Sequence, residues 1–584
     1  MNKQERDLLL ALNNSPFINQ RLLSETSGYS LGIVNRCLKE LLEKGYLNEE
    51  MQPTELAKEE LEKSRPERAV ILAAGYGMRM IPINTETPKG LLQVNGETLI
   101  ERMIRQLQEV GVRDITVVTG FMKEAYEFLI DQYGIQMVIN MDYASKNNLH
   151  SMALVKEKLR NAYVVPCDIW CEENPFHRNE LYPWYMVCDL VDDESNVRVN
   201  RKQELVRTEL GGNRMVGIAY ITGEAEQKLQ DKLGNMDVCP EYQECFWEEA
   251  LFEDDRMYVA ARMVPSQKVY EINTYEELRE LDASSKQLDS RVLRQISEIL
   301  QVPDQKIESI TVLKKGMTNR SFLFSCEGQR YIMRIPGEGT GELINRQQEY
   351  AVYQALADSH ISDQVVYMNP ENGYKMTRYL EQVHNCDAND QEEVRKCMVF
   401  LRKFHEKKLQ VTHAFDLFEK LEFYEALWKG ANSCFRDYRE TKRKVYELKK
   451  YIDEQPKEWT LTHIDAVPDN FLIADSDETE IHLIDWEYAG MQDPHVDIAM
   501  FAIYAMYDRA QVEALIDAYF PEGCSEAVRR KIYCYIAVCG LLWSNWCEYK
   551  RQLGVEFGEY SIRQYRYAKE YYRIFQEEQN GISG

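Results

Sequence analysis

The sequence predicts a multidomain chain. An α/β three-layer domain on a mostly parallel sheet stands between a small helical module and a second large domain. Three observations predict it. The 584 residues are too many for one apolar core, so two to four domains are expected. The run Ala69-Val70-Ile71-Leu72-Ala73-Ala74 is wholly apolar, as in a strand buried on both faces, and strand-type and helix-type segments alternate from there to about residue 284. The first 64 residues are instead dense in helix formers. The domain limits read from these shifts are 1–64, 67–284 and 288–578, with Ser64–Arg68 and Asp282–Asp289 as polar joints.

In the first segment, Glu5 to Leu12, Asn19 to Ser24 and Ser30 to Lys44 read as three helices, the last stopped by Gly45. The Glu/Lys-rich stretch near Glu59 reads as a connector. The helix spacing resembles the winged-helix family of transcription regulators, which would make Leu31 to Leu42 the recognition helix. Charge points away from DNA binding by residues 1–64: eight Lys/Arg stand against eleven Asp/Glu, whereas a DNA-reading face is basic. A docking or regulatory module is the competing reading.

The whole chain carries a formal net charge of -26, which excludes broad charge-driven binding to nucleic acid or anionic membranes. It leaves room for nucleotides, which local Lys, Arg and Mg²⁺ hold. Met1 to Leu10 shows no signal-peptide pattern, and Tyr533 to Trp543 is too short to span a bilayer. The fourteen cysteines form no Cys-x-x-Cys pair, so reduced thiols and a cytoplasmic location are expected, with no membrane partner.

In the middle domain Ile115–Thr119, Met137–Asn140 and Tyr163–Pro166 read as strands and Leu99–Val110 as a helix. The first strand runs into Gly75-Tyr76-Gly77, a turn whose backbone N–H groups can approach phosphates closely. Arg79 follows at once, and Thr87-Pro88-Lys89 soon after; two cations beside such a loop suit a triphosphate. Leu72-Ala73-Ala74-Gly75-Tyr76-Gly77-Met78-Arg79 with Pro88-Lys89 resembles the sugar-nucleotide pyrophosphorylase-like nucleotidyltransferases, whose domain is Rossmann-like. The resemblance implies that Leu72, Ala73, Ala74, Gly75 and Gly77 bind nucleotide and that Arg79 and Lys89 act in catalysis. The segment Asn140 to Ser151 resembles the base-reading stretch of bacterial CTP:phosphocholine cytidylyltransferases, implying roles for Asn147, Asn148 and Ser151. Asp168 ends a strand at the edge where α/β sites lie. By resemblance it is the main Mg²⁺ ligand, joined by Glu271 and by Asn273, a neutral and weaker ligand where relatives often carry Asp. Phe246-Trp247-Glu248-Glu249 resembles the choline-site stretch of the same family. An aromatic face and a carboxylate, here Trp247 and Glu248, suit a quaternary ammonium that donates no hydrogen bond.

The last domain carries a second set. His463-Ile464-Asp465 with Asn470, then Ile484-Asp485-Trp486-Glu487-Tyr488, resembles the catalytic loop and metal-binding Asp of the choline kinase and aminoglycoside phosphotransferase family, implying an α+β protein-kinase-like fold. By that resemblance Asp465 deprotonates the substrate hydroxyl, and Asn470 and Asp485 hold Mg²⁺. Gly316 to Ser321, with Asn319, covers the ATP phosphates. Arg334 pairs with Glu349, and Met376 to Glu381, with Thr377, holds adenine. Trp543 and Trp546 stand at i and i+3 on one helix face. In the family such a pair lines the cation pocket, near Glu487 and Tyr488.

Together the two halves imply consecutive steps: ATP-dependent phosphorylation of choline, then Mg²⁺-dependent transfer from CTP to phosphocholine, giving CDP-choline and pyrophosphate. Three rivals stay open: the same steps on ethanolamine or another amino alcohol, a sugar kinase joined to a sugar-1-phosphate nucleotidyltransferase, and a transcription regulator that uses enzyme-like domains as sensors.

Overall fold

A computed structural model describes residues 1–313, 319–336, 344–476, 480–552 and 557–579. The chain divides into two compact units, Met1–Asp304 and Gln305–Gly584.

The first unit opens with three helices, α1 (Lys3–Asn14), α2 (Gln20–Ser27) and α3 (Leu31–Glu43). Asn2 and Glu5 cap the start of α1 reciprocally, and Asn19 caps α2. Gly28, at φ +71°, ends α2 in the left-handed region that glycine enters without penalty. The stretch expected as a connector is a fourth helix, α4 (Glu55–Lys63), started by Thr54. Ala57 and Leu61, four residues apart, give it a narrow buried stripe among outward charges. The dense charge hid that stripe from a reading of composition.

The sheet that follows has ten strands. Nine lie on its path, β1 (Arg68–Ala73), β2 (Asp114–Thr119), β3 (Gln136–Ile139), β4 (Ala162–Pro166), β6 (Trp184–Asp192), β7 (Val197–Val199), β8 (Glu204–Arg207), β9 (Gly212–Ile221) and β10 (Arg256–Val264), in the order β3-β2-β1-β4-β9-β6-β10-β8-β7, and the tenth, Phe252–Glu253, pairs with β10. Between β4 and β6 the short strand β5 (Ile169–Cys171) leaves the sheet and pairs antiparallel with β11 (Val269–Glu271). From β3 to β4 all pairs are parallel, joined by crossovers such as α5 (Leu99–Glu109). Beyond β4 the chain returns by short links, and most pairs are antiparallel. The sheet is therefore mixed, where the sequence predicts a mostly parallel one. Strand β1 is buried on both faces: Ile71 and Ala73 face one core, Val70 and Leu72 the other. The first of these cores also contains Leu8, Leu9 and Leu12 of α1 and Val34 and Leu41 of α3, so the helical module and the sheet share one apolar interior. Lys3 Nζ donates to Ala261 O at 2.9 Å, and the Asp7 carboxylate accepts from both Tyr29 and Tyr182 hydroxyls.

Close to this junction Arg262 donates to both oxygens of Glu180, at 2.8 and 2.7 Å, and its guanidinium lies 3.8 Å from the Trp184 ring centre. Burial alone would raise the Glu180 carboxyl, but Arg262 and His177 outweigh it and hold it down at about 2. A depressed carboxyl stabilises the fold above its unfolded value of about 4.3 and loses that contribution as pH falls towards 2. Glu180→Gln leaves a buried guanidinium without its counter-charge, so it is expected to cost about 3–5 kcal/mol. Denaturant unfolding at pH 7 measures that loss, and it should shrink as pH falls from about 4.3 towards 2. An unchanged midpoint at pH 7 would count against the pair.

Residues 282–289 are tied to the body of this unit: Asp282 accepts from Asn95 N at 2.8 Å and Ser285 Oγ donates to Gln93 O at 2.8 Å.

The second unit begins with a five-stranded antiparallel sheet of β12 (Ile307–Val312), β13 (Asn319–Cys326), β14 (Gln329–Pro336), β15 (Val365–Met368) and β16 (Lys375–Arg378), ordered β12-β13-β14-β16-β15. A largely helical body follows, with small hairpins that carry a loop between β17 (Thr460–Thr462) and β18 (Phe471–Ala474). Its core is built on two long helices, Glu526–Gln552 and Glu559–Gln579. Gly540 lets them meet: a Cβ there would lie 2.7 Å from Gln564 O.

Candidate active sites

The first site lies at the C-terminal ends of the parallel strands. Leu72, Ala73 and Ala74 are buried there, and Gly75 is exposed at the start of the turn. Gly77 holds φ +60°. Buried Asn84 donates to the carbonyls of Tyr76 and Gly77, at 3.2 and 3.0 Å, and so fixes the turn from below. Lys89 Nζ reaches Asp168 Oδ2 at 2.5 Å and Asn273 Oδ1 at 2.7 Å, while Arg79 Nη2 reaches the same Asn273 oxygen at 3.0 Å. Glu271 is brought alongside by the β5–β11 pair, in which Ile272 N donates to Asp168 O. Burial and then the Asp168 carboxylate raise the Glu271 carboxyl above its ordinary range. The structure thus gathers Arg79, Lys89, Asp168, Glu271 and Asn273, which the sequence scatters over nearly two hundred positions.

The base-reading candidates are mostly structural in their contacts. Asn147 caps the helix Asn148–Ala153 and donates to Glu244 O; Ser151 accepts from Asn140 Nδ2 at 3.0 Å. Asn148 Oδ1 accepts from Trp247 N at 2.8 Å, which ties this segment to the acceptor stretch. The Trp247 indole itself is a core side chain, 1% exposed, with its ring centre 6.1 Å from that of Tyr185. Glu248 Oε1 accepts from Tyr185 OH at 3.0 Å, and its other oxygen is buried without a hydrogen-bond partner among the described residues. Burial pushes that carboxyl up to about 7.

In the second unit Asp465 and Asn470 share the loop after β17, and Asn470 Nδ2 donates to Asp465 O at 2.8 Å. Burial, then the nearby Asp485, pushes the Asp465 carboxyl up to about 7. Arg334 on β14 donates one hydrogen bond to Glu349, Nη2 to Oε2 at 2.7 Å, has its Nη1 in ion-pair contact with Oε1 at 2.7 Å, and lies 4.0 Å from Asp485 and 3.9 Å from Glu487. Thr377 is buried on β16, opposite Ile332 of β14. Residues 316–318 of the expected phosphate-covering loop lie outside the described residues, as does the Asn319 side chain. Glu487 and Tyr488 line a cavity of about 630 Å³ together with Arg346, Phe415 and Phe423. Tyr488 meets Trp543 edge-on at 6.2 Å between ring centres. Trp546 packs against Phe557, and the Lys550 ammonium lies 5.5 Å from the Trp546 ring.

Several groups escaped the sequence reading. Fully buried Asp497 accepts from the backbone N–H of His463 and of Ile464, at 2.9 and 2.7 Å, and lies 3.0 Å from His405 Nε2. Ile464 and Asp485 both sit at left-handed φ, +71° and +68°, a conformation that costs a non-glycine residue about 1–3 kcal/mol. Asp497 holds the first of them there. The one available signal was an Asp inside the apolar helix His495–Tyr504. In the first site Tyr76 stacks on Phe121 at 4.1 Å, with Tyr143 beyond, and Gly120 has no room for a Cβ, which would meet Tyr143 Cβ at 2.7 Å.

Among known proteins, residues 69–177 match the MobA-like NTP transferase domain, residues 310–518 match Choline/ethanolamine kinase, and residues 1–48 match the Winged helix-turn-helix DNA-binding family. A choline-phosphate cytidylyltransferase from Streptococcus pneumoniae is 30% identical over 230 residues, covering 37% of this chain and 96% of that protein. The chain belongs to the choline-phosphate cytidylyltransferase family. Beyond its cytidylyltransferase domain it is 25% identical to Protein LicA of Haemophilus influenzae over 258 residues, covering 42% of this chain and 95% of that protein. The crystal structure of choline kinase LicA from Streptococcus pneumoniae superposes with a TM-score of 0.43 at 27% identity, covering 48% of this chain and 98% of that one. This cytidylyltransferase is therefore an enzyme fused to a choline kinase-family domain and preceded by a winged helix. Among its described residues no helix is long and apolar enough to cross a membrane.

Proposed function

We propose that the chain makes CDP-choline in two steps. The segment 288–578 phosphorylates choline with ATP. The segment 67–284 then transfers the cytidylyl group of CTP to phosphocholine and releases pyrophosphate. The observation that carries this reading is the presence on one chain of two separately assembled reactive clusters, Arg79–Lys89–Asp168 in a region similar to a choline-phosphate cytidylyltransferase and Asp465–Asn470–Asp485 in a region that matches Choline/ethanolamine kinase.

Mg²⁺ fits both donor sets. Among the described residues neither site groups three or more His, Cys, Asp or Glu side chains as a full metal cage. Mg²⁺ is usually held by one or two carboxylates plus substrate phosphates. Asp168 with Glu271, and Asp485 with Asn470, are such partial sets. When bound, Mg²⁺ neutralises phosphate charge and polarises the reacting phosphorus.

In the first site Arg79 and Lys89 take up triphosphate charge and the Gly75–Gly77 backbone, continuing from Leu72–Ala74, cradles it. Asn147, Asn148 and Ser151 shape the base pocket. The phosphate monoester is already ionised near neutral pH, so positioning and charge stabilisation suffice. Glu248 faces the acceptor's ammonium end, with the Trp247 ring packed in the core rather than forming an open cage, and a cation would satisfy the buried Glu248 oxygen. In the second site Asp465 takes the proton of the choline hydroxyl. Arg334, held by Glu349, meets the ATP phosphates, with Asn319 above them and Thr377 at adenine. Glu487, Tyr488, Trp543 and Trp546 supply the carboxylate and ring faces that bind the cation. Residues 1–64 serve docking: the α3 cations Arg36 and Lys39 face Glu40 and Glu43 rather than forming a basic stripe.

The same steps on ethanolamine form the second reading, favoured by the closed position of Trp247, which leaves fewer open ring faces for three methyl groups. Incubation with ATP, CTP, Mg²⁺ and either choline or ethanolamine, followed by mass, decides between them. CDP-choline as the main product supports the first reading; CDP-ethanolamine the second. Neither product would sink both.

A further inference from the structure

Asn273 Oδ1 is where the two cations of the first site meet, accepting from Lys89 Nζ at 2.7 Å and from Arg79 Nη2 at 3.0 Å. Lys and Arg only donate, so the amide oxygen, not its NH₂, must face them. An amide oxygen has two lone pairs, and here both are engaged. The residue itself is anchored: its backbone N–H donates to Glu277 Oε2 at 2.6 Å, and the next N–H donates to the same oxygen at 2.9 Å.

We propose that Asn273 is a positioning residue that sets Arg79 and Lys89 side by side for the triphosphate, rather than a metal ligand, so that the nucleotide binds without the metal ion. The proposal rests on the cytidylyl-transfer reading above. The chemistry of the position favours it. Arg79 and Lys89 are already balanced by Asp168 and Glu271, so a carboxylate at this position would turn the cluster net negative and repel an incoming triphosphate. A neutral oxygen orients both cations and leaves their charge available. Hydrogen bonds to it are also weaker than those to a carboxylate, so the cations can pass to phosphate oxygens when the nucleotide arrives.

The test is calorimetric titration of the full chain with CTP in EDTA, for wild type and Asn273→Asp, a nearly isosteric change. The expected result is that wild type binds CTP without metal and that Asn273→Asp weakens this binding threefold or more. Weakening of less than threefold, or wild-type binding seen only once Mg²⁺ is added, overturns the proposal. A lower Mg²⁺ requirement for turnover in Asn273→Asp does not rescue it. If UTP or GTP binds in EDTA where CTP does not, the cytidylyl reading fails and the same comparison is run with that nucleotide. Binding of no nucleotide, with or without metal, sinks both.

Discussion

Asp465→Asn is expected to lower kinase turnover by about 10²–10⁴-fold, the usual worth of a positioned general base. The amide keeps the shape of the side chain and can still sit beside Asn470, but it cannot accept the hydroxyl proton. CTP-dependent transfer to added phosphocholine should stay at the wild-type rate, since that chemistry belongs to the other unit. The pH profile gives an independent check. Burial and Asp485 push the Asp465 carboxyl up to about 7, and only its ionised form is a base. Kinase kcat/KM should therefore fall about tenfold per unit as pH drops below about 7. A flat profile between pH 5 and 7 together with full turnover in the variant would remove Asp465 from this role.

Lys89→Met is expected to cost about 10²–10³-fold in cytidylyl-transfer kcat, comparable to removing one preorganised donor from a site of developing charge. The variant also leaves Asp168 without the ammonium now 2.5 Å away. Supplying phosphocholine directly makes the assay independent of the kinase, whose rate should not change. A loss confined to KM for CTP, with kcat intact, would mean that Lys89 only helps the nucleotide bind.

Much of this was legible because the chemistry is carried by side chains at fixed offsets from strands. The apolar run at Ala69–Ala74 announced a strand buried on both faces, and β1 is one. The Arg334–Glu349 pair followed from the resemblance to choline kinases, which places a cation on that strand and its acid on the next helix. What stayed hidden has a common physical character. Asp497 acts on backbone N–H groups, which have no identity in a sequence. The shared oxygen of Asn273 depends on two cations arriving from distant loops. The α4 helix hid its two-residue apolar stripe among charges. Trp247 shows the reverse case, since an aromatic residue beside acids looks the same in sequence whether it lines a cage or fills a core.

The shared interior of the winged helix and the sheet has a consequence for synthesis. The module leaves the ribosome before the sheet, and Lys3 finds its acceptor 258 positions later. At about 5–20 residues per second, that partner emerges on the order of ten to fifty seconds afterwards. During that interval the flank of α1 that will meet the sheet is uncovered, and a nascent chain in this state is a natural client for a holding chaperone.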